Sequence, residues 1–585
     1  METKKEAAQK IPLFIPQTYT STEANKTGSW RYLKPRYEEK TAPCGAACPA
    51  GEDIGKIELL TREGLFKEAW ETILRENPFP AVCGRVCYHP CEHHCNRGEF
   101  DEAIAIHQIE RFLADTARKN EMQPILMAGE KKRKEKVAIA GSGPSGLAAA
   151  YFLTRLGYGC EIFEAREEPG GTLRWGIPAY RLPPDVLRAE IAFIENLGVP
   201  IHRGRSLGPS FVEEARGTYA ALFLGCGHGR SRKLGIPGED LEGVAEGLPF
   251  LHRIRRGETP KIEGPVAVIG GGNTAVDVAR SVARLGGEAW IVYRRRRQDM
   301  PAFETEIVMA LEEGVKIREL LAPVRVERKN GRLALTVQPM RVQGTDPDGR
   351  ARIVAQGAEE TLEFEKMFKA IGEEAGEDWY RPPEEDGEVL HLSNSTIALG
   401  PRSPVLLYGG DLTASVKSVV HAVASAKEGA IALDLLLREG RENLPGRLEK
   451  YRVGDGPSLS MEIYQGGGRS RRSRHVVGYR EINADYFQLA PRITQPRLLA
   501  GERLKGFDEI DLKISANMAI RESERCFNCG LCNNCDNCYF FCPDMSVIRG
   551  DGAEGRHINY DYCKGCGLCV VECPRNAMAL EEEGS

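Results

Sequence analysis

Among its 585 residues the chain has no apolar run approaching the ~20 residues that a membrane span requires. The opening METKKEAAQK lacks the apolar core of a secretory signal. An excess of positive charge is missing too. With 79 Lys and Arg against 84 Asp and Glu, the formal charge is −5, and nothing in that balance argues for nucleic acid. Cysteine is nearly absent from the middle of the chain. Between Cys95 and Cys526 only Cys160 and Cys226 occur, which leaves no Cys-x-x-Cys pair there and argues against a disulfide reductase. These absences set an expectation of a cytoplasmic protein with no membrane span and no nucleic-acid partner. Its length suffices for about three or four domains.

The cysteines that are present crowd the two ends. Of 18, six lie between Cys44 and Cys95 and ten between Cys526 and Cys573. In a reducing compartment such crowding reads as metal ligation rather than disulfides. The later set is the more specific: Cys532-x2-Cys535-x2-Cys538-x3-Cys542-Pro543, then Cys563-x2-Cys566-x2-Cys569-x3-Cys573-Pro574. Two-residue gaps wrap a loop around one iron–sulfur cube; the longer gap and its proline send the fourth thiol to the other cube. This assigns Cys532, Cys535, Cys538 and Cys573 to one [4Fe-4S] cluster, and Cys563, Cys566, Cys569 and Cys542 to a second. Cys526 and Cys529 extend the first run at the same spacing and leave its register open: they replace an assigned ligand or serve a further site. The earlier set is Cys44-x3-Cys48 and Cys83-x3-Cys87-x3-Cys91-x3-Cys95, without ferredoxin spacing; soft thiolates so placed suit iron or zinc. It brackets an apolar stripe, Ile57, Leu60, Phe66, Ala69 and Ile73, that predicts a helix over 54–75; a second helix is expected over 103–117.

The middle of the chain is organised around VAIAGSGPSGLAAA, residues 137–150. A short apolar strand enters Gly141, Gly143 and Gly146, with Pro144 and Ser145 opening a helix. Such glycines let the backbone approach a pyrophosphate, which then rests on the positive end of the helix. About twenty residues on, a second strand ends at Glu164, where a carboxylate accepts from an adenosine ribose. A Gly- and Pro-rich loop follows over 167–184, in which Gly171, Thr172 and Leu173 pass close to a flat ligand; it is read as non-helical, and a β-rich run ending over 221–227 is expected after it. Small residues after that strand close over the nucleotide, with Cys226 as a packed small residue.

A second nucleotide unit begins at Pro265, with Gly270 and Gly272 leading to a helix at Asn273 and Thr274. Its next strand ends in Arg294-Arg295-Arg296-Arg297 rather than in an acid. Arginine pairs bidentately with phosphate, so Arg294 and Arg295 favour NADP(H) over NAD(H). A later strand ends at Gly409-Gly410-Asp411 and a helix starts near Ser418 and Val419. Asp411 is suited to the ribityl chain of a flavin, and that helix start to its isoalloxazine carbonyl edge. The second unit is thus inserted into the first.

The expected fold class is multidomain α/β: a helical iron–sulfur N-terminal domain, two interleaved Rossmann-like domains and a C-terminal α+β ferredoxin-like domain. The expected boundaries are an arm over 1–40, the helical domain over 41–135, FAD-binding parts over 136–239 and 396–445, and the NAD(P)H domain over 240–395. A weakly patterned linker over 446–515 then leads to the two-cluster domain over 516–585. The basic runs at 131–136 and 466–478 read as solvated connector and linker.

These motifs resemble the NAD(P)H-dependent glutamate synthase small subunit family, which includes the N-terminal half of dihydropyrimidine dehydrogenase. The resemblance spans Cys44 to Leu436. It is carried by Asn77-Pro-Phe-Pro, Cys83-Gly-Arg-Val-Cys87, AIAGSGPSGLAAA, PGGTLRWGIPAYRLP, VIGGGNTAVDVAR, VYRRRRQDMPA and Gly409-Gly-Asp411. It implies FAD on the first unit, NAD(P)H on the second and [4Fe-4S] chemistry in the N-terminal domain; some members carry a ferredoxin-like extension. The family pattern places one cluster on Cys48, Cys87, Cys91 and a side chain at the position of Glu110, with exchange by Cys83 or Cys95 open. Cys44 and Cys95 match half of a second ligand set whose upstream Cys-x2-Cys pair this chain lacks. One N-terminal cluster is therefore expected.

A nicotinamide delivers two electrons as hydride and an iron–sulfur cube accepts one, and FAD converts between them. The expected function is an NAD(P)H:ferredoxin-type oxidoreductase or the electron-transfer subunit of a larger hetero-oligomer. Its expected partner is ferredoxin or a catalytic oxidoreductase subunit, for instance a 2-oxoacid:ferredoxin oxidoreductase. The alternative is a glutamate synthase small subunit, against which the ferredoxin tail weighs.

Overall fold

The computed structural model describes residues 24–125, 132–345, 349–383, 389–399, 404–467, 472–550 and 555–583. Residues 1–23 of the arm, Lys131 of the first basic run and residues 468–471 of the second lie outside the described residues.

The larger sheet has seven strands in the order Val389–His391, Thr396–Ala398, Val405–Tyr408, Ala221–Leu224, Lys136–Ala140, Gly159–Phe163 and Ile201–His202. Its last five strands are parallel. Strand Lys136–Ala140 is buried on both faces from Val137 onward, which is why it reads as a continuous apolar run rather than an alternation. Helices Pro144–Arg155 and Val419–Glu439 pack together on this sheet. The second unit is a five-stranded parallel sheet, Lys316–Glu319, Glu288–Tyr293, Pro265–Ile269, Lys366–Lys369 and Val244–Glu246, backed by helix Asn273–Arg284. An antiparallel sheet, centred on Arg332–Thr345, projects from it.

Several local expectations are corrected. The single helix over 54–75 is two, Ile54–Arg62 and Phe66–Leu74, because Gly64 turns the chain at φ +74°. The helix expected over 103–117 runs Ile106–Lys119. The loop over 167–184 contains a short helix, Gly171–Trp175, and the run before Ala221 is mainly helix Pro184–Glu195 with a two-residue strand, not β-rich. Strands at 389–391 and 396–398 pair antiparallel within the first sheet, so the inserted unit ends before 389 rather than at 395.

The segment over 446–515 is packed, unlike a linker. Glu76 of the helical domain accepts from the backbone N–H groups of Met461 (2.9 Å) and Glu462 (3.1 Å), and from Ser460 Oγ. The same carboxylate pairs with Lys427 Nζ (2.6 Å) in the long flavin-unit helix, both side chains being buried. One acid thus joins three parts of the chain. The tail is anchored as well: Leu33–Tyr37, assigned to the arm, pairs antiparallel with Met578–Glu582. Helix Ala516–Glu524 packs on Ile54–Arg62.

Candidate functional site

One cavity of about 390 Å³ lies at the carboxyl ends of the first sheet's strands and faces the second unit. It is where an open parallel sheet places its ligand crevice. The sheet's loops bring Gly141, Gly143, Pro144, Ser145, Glu164, Gly171, Thr172 and Leu173 to its wall. Gly410, Asp411, Ser418 and Val419 join them from the returning half, and Asn273 and Thr274 from the inserted unit.

The glycine turn is built by sterics. Gly141 sits at φ +94°, and a Cβ there would lie 2.7 Å from Gly225 O; a Cβ on Gly146 would lie 1.9 Å from Gly141 O. Gly146 therefore shapes the turn without lining the cavity. Glu164 Oε2 accepts from Ser142 N–H (2.9 Å) and Ser142 Oγ, and Oε1 accepts from Arg166 N–H (2.8 Å), which fixes the carboxylate at the end of its strand. Gly410 N–H donates to Ser425 Oγ (2.7 Å), holding Gly409-Gly410-Asp411 against helix Val419–Glu439. Ser418 caps that helix through His421 N–H (3.3 Å) and leaves its positive end at the cavity. Burial pushes the Asp411 carboxyl up, while Lys417 and His228 pull it down.

In the inserted unit, Gly270 and Gly272 shape the turn but do not line this cavity. A Cβ on Gly270 would lie 2.1 Å from Ala370 O, whereas the space before Gly272, at the N-terminus of Asn273–Arg284, is open. The four arginines separate in role. Arg296 pairs with Asp299 (2.8 Å) and Arg297 with Glu304 (2.6 Å). Arg295 Nε donates to Ala351 O (3.0 Å), and Arg294 is exposed.

Sequence reasoning missed the contact that docks the two units. Arg181, in the flavin-side loop, is 7% exposed and donates from Nη1 to both carboxylate oxygens of Asp277 (3.1 and 2.8 Å) on helix Asn273–Arg284. Its Nε lies 3.3 Å from Glu306. Burial pushes Asp277 up to about 6, with Arg181 pulling the other way. Both residues line the cavity. The arginine's place in PGGTLRWGIPAYRLP was visible, but its partner lies 96 residues away.

No disulfide links any cysteine. The crossed ferredoxin pattern brings the expected thiols together. Cys532, Cys535, Cys538 and Cys573 line one small cavity with Tyr37, whose hydroxyl lies 3.2 Å from Cys538 Sγ. Cys542, Cys563, Cys566 and Cys569 line another. Four soft thiols around each space suit a [4Fe-4S] cube. In the helical domain Cys48, Cys87 and Cys91 are mutual neighbours: burial pushes the Cys91 thiol up, and the charges of Cys48 and Cys87 raise it further. Glu110 stands near Cys87 and accepts from Asn77 Nδ2 (3.1 Å). Cys83 is buried beside them, its Sγ 3.9 Å from Asn77 Oδ1. Cys44 and Cys95 gather elsewhere, with Cys526 and Cys529. Cys226 is half-buried and lines the large cavity, and burial pushes it up to about 12.

Comparison with known families matches residues 16–122 to dihydropyrimidine dehydrogenase domain II, 4Fe-4S cluster, residues 135–387 to pyridine nucleotide-disulphide oxidoreductase, and residues 556–579 to a 4Fe-4S binding domain. The chain therefore carries iron–sulfur domains at both ends of an FAD- and NAD(P)-type oxidoreductase core. It is 35% identical over 546 residues to the NADP(+)-dependent formate dehydrogenase subunit beta of Moorella thermoacetica, covering 88% of this chain and 72% of that one. It is 31% identical over 528 residues to the NADPH-Fe(3+) oxidoreductase subunit beta of Geobacter sulfurreducens, covering 84% and 75%. It is 35% identical over 397 residues to the NAD-dependent dihydropyrimidine dehydrogenase subunit PreT of Escherichia coli, covering 67% and 90%. These relatives lend the glutamate synthase alternative no specific support. Among the described residues no helix is long and apolar enough to cross a membrane.

Proposed function

The chain belongs to the family of the NADP(+)-dependent formate dehydrogenase and NADPH-Fe(3+) oxidoreductase beta subunits, and from that premise we propose that it is the NADPH-linked electron-transfer subunit of a cytoplasmic oxidoreductase complex. One observation carries this reading. A single cavity is lined from both nucleotide units and also by Val86, the neighbour of Cys87. Two-electron and one-electron chemistry thus meet at one wall.

Gly141, Gly143 and the N-terminus of Pro144–Arg155 would receive the pyrophosphate of FAD, Glu164 its adenosine ribose and Asp411 its ribityl chain. The N-terminus of Val419–Glu439 would face the flavin's carbonyl edge. Gly272 and Asn273 would admit the nicotinamide nucleotide, with Arg294 and Arg295 on a 2′-phosphate. Bound FAD supplies the conversion between hydride and single electrons. The Arg181–Asp277 contact would hold the two nucleotide sites in register, and the cysteine sets would hold the clusters that receive single electrons. The tail is the port to a catalytic subunit or ferredoxin. Cys532 and Cys566 are exposed there, and Phe540, Phe541, Met545 and Val571 form exposed apolar surface on the same domain, as docking surfaces require. Cysteines grouped at cluster-ligand spacing support a reducing compartment.

Anaerobic stopped-flow mixing with NADPH tests the reading. The flavin's visible absorption band is expected to bleach first, followed by loss of cluster absorbance within the same chain. A flavin that stays oxidised in the presence of excess NADPH sinks the proposal.

A further inference from the structure

Cys44, Cys95, Cys526 and Cys529 come from opposite ends of the chain and meet in the folded protein. Cys44 and Cys529 are buried, at 8% and 9% exposure, and Cys95 and Cys526 are half-buried. Cys44 belongs to the buried core of the helical domain, and Cys95 and Cys526 pack against that core. Asn96, next to Cys95, donates from Nδ2 to Cys529 Sγ (3.4 Å), and Lys40 N–H, four residues before Cys44, donates to Gly530 O (2.9 Å), so the Cys526–Cys529 loop is seated where Cys44 and Cys95 lie.

The placement is specified by interactions outside the thiols. Helix Ala516–Glu524 lies against Ile54–Arg62 and Ile106–Lys119. At its end, Ser523 Oγ donates to Glu58 Oε2 (2.7 Å), Glu522 Oε1 accepts from Ala105 N–H (2.9 Å), and Arg97 Nη1 donates to Arg525 O (2.9 Å). Beyond it, Asn528 Nδ2 donates to Gly55 O (2.8 Å), clamping the Cys-x2-Cys loop to the helical domain. Two donors point at sulfur, Asn96 Nδ2 at Cys529 (3.4 Å) and Asn528 N–H at Cys526 (3.4 Å), an arrangement that stabilises thiolates.

The ferredoxin quartets do not need this pair, since Cys532, Cys535, Cys538 and Cys573 already surround their own cavity. The spacing also speaks to the occupant. Among the described residues only His89, Glu92 and His107 bring three ligand atoms within 4.8 Å of one another. A tetrahedral zinc with Zn–S bonds of about 2.3 Å holds its sulfurs about 3.8 Å apart. No three of the four sulfurs all lie within 4.8 Å of one another.

We propose that Cys44, Cys95, Cys526 and Cys529 together ligate a further [4Fe-4S] cluster, which staples the C-terminal segment to the N-terminal domain and bridges the tail clusters to the one beside the flavin cavity. The sets adjoin at both ends: helix Pro43–Ala47, which carries Cys44, packs on Pro90–His93, which carries Cys91 of the inner set, and Cys529 is followed three residues on by Cys532 of the tail. Each hop moves one electron, oxidising the donor and reducing the acceptor by one, with no bond made or broken. The relay role rests on the function proposed for the cavity; the ligand set does not.

The test is iron, acid-labile sulfide and zinc analysis with EPR spin quantitation on the anaerobically purified full chain. The expected content is about sixteen iron and sixteen sulfide per chain, four cubes of four. Cys526→Ser/Cys529→Ser is expected to lose about four of each, Cys44→Ser/Cys95→Ser the same four, and the quadruple variant no more than either. About twelve irons in the unsubstituted chain overturns the site without recourse to any variant. So does one zinc ion lost with either pair, or losses from the two pairs that add. Sixteen irons with a flavin that NADPH does not bleach refutes the functional reading alone; twelve with a bleached flavin refutes this site alone.

Discussion

Replacing Arg181 with methionine tests how the two nucleotide units are held together. The substitution keeps the apolar stem and removes a guanidinium that makes two contacts with Asp277 and one with Glu306. Glu306 keeps Arg280, but Asp277 loses the Nη1 donor that reaches both its oxygens in a buried site. Breaking such a pair costs about 3–5 kcal/mol when the remaining charge stays ionised. Asp277 has a second course, which is protonation. Its folded-state pKa, about 6, already stands above the ordinary carboxylate value, so its contribution is fully present at low pH and is lost as pH rises through about 6. Without Arg181 the folded pKa climbs further. Relative to the parent, the deficit from this group is then near zero at pH 6, grows by about 1.4 kcal/mol per pH unit, and reaches about 2.7 kcal/mol at pH 8. Anaerobic urea unfolding of Arg181→Met and the parent at pH 6, 7 and 8 measures this directly. Adding Asp277→Asn should recover most of the loss at pH 8. A deficit of equal size at all three pH values, or no recovery with asparagine, refutes the assignment of the stored cost to Asp277.

Two further outcomes follow from the same geometry. Neutralising Arg294 and Arg295 together should weaken NADPH by about 1.5–3 kcal/mol, about ten- to a hundred-fold, and leave NADH nearly unchanged; equal effects in steady-state kinetics would mark the arginines as general attraction only. Lys427→Met leaves Glu76 buried without its cation while Met461 and Glu462 N–H still bind it. It should destabilise the chain by about 3–5 kcal/mol and loosen 461–465 in hydrogen exchange; unchanged protection there would contradict Glu76 as the joint between segments.

Much of the plan was legible because it is written in local spacing. A strand entering Gly-x-Gly-x-x-Gly is a backbone requirement, since Gly141 must reach a positive φ and Gly146 must admit the carbonyl of Gly141. The crossed ferredoxin set is legible for the same reason: loop lengths of two and three residues decide which thiols can reach one cube. Where the sequence misled, either a local period was passed over or the ordering partner lay far along the chain. The run before Ala221 became a helix because Val186, Leu187, Ile191 and Ile194 bury one face at helical spacing. The segment over 446–515 looked like a linker because its polar residues carry no period, yet Glu76, hundreds of residues earlier, supplies the partner that orders it.

The sequence by itself determined the cofactor chemistry of this protein, because phosphate cradles and cube-binding loops are short enough to be encoded within some thirty residues. It could not say what Cys526 and Cys529 are for. Their spacing fits a continuation of the tail equally well, and their neighbours Cys44 and Cys95 lie more than four hundred residues away. Only the tertiary structure decided that they stand with the N-terminal thiols, and that Arg181 faces Asp277 across two units. Both depend on buried polar groups that must find partners when the helical, flavin and C-terminal segments close on one another.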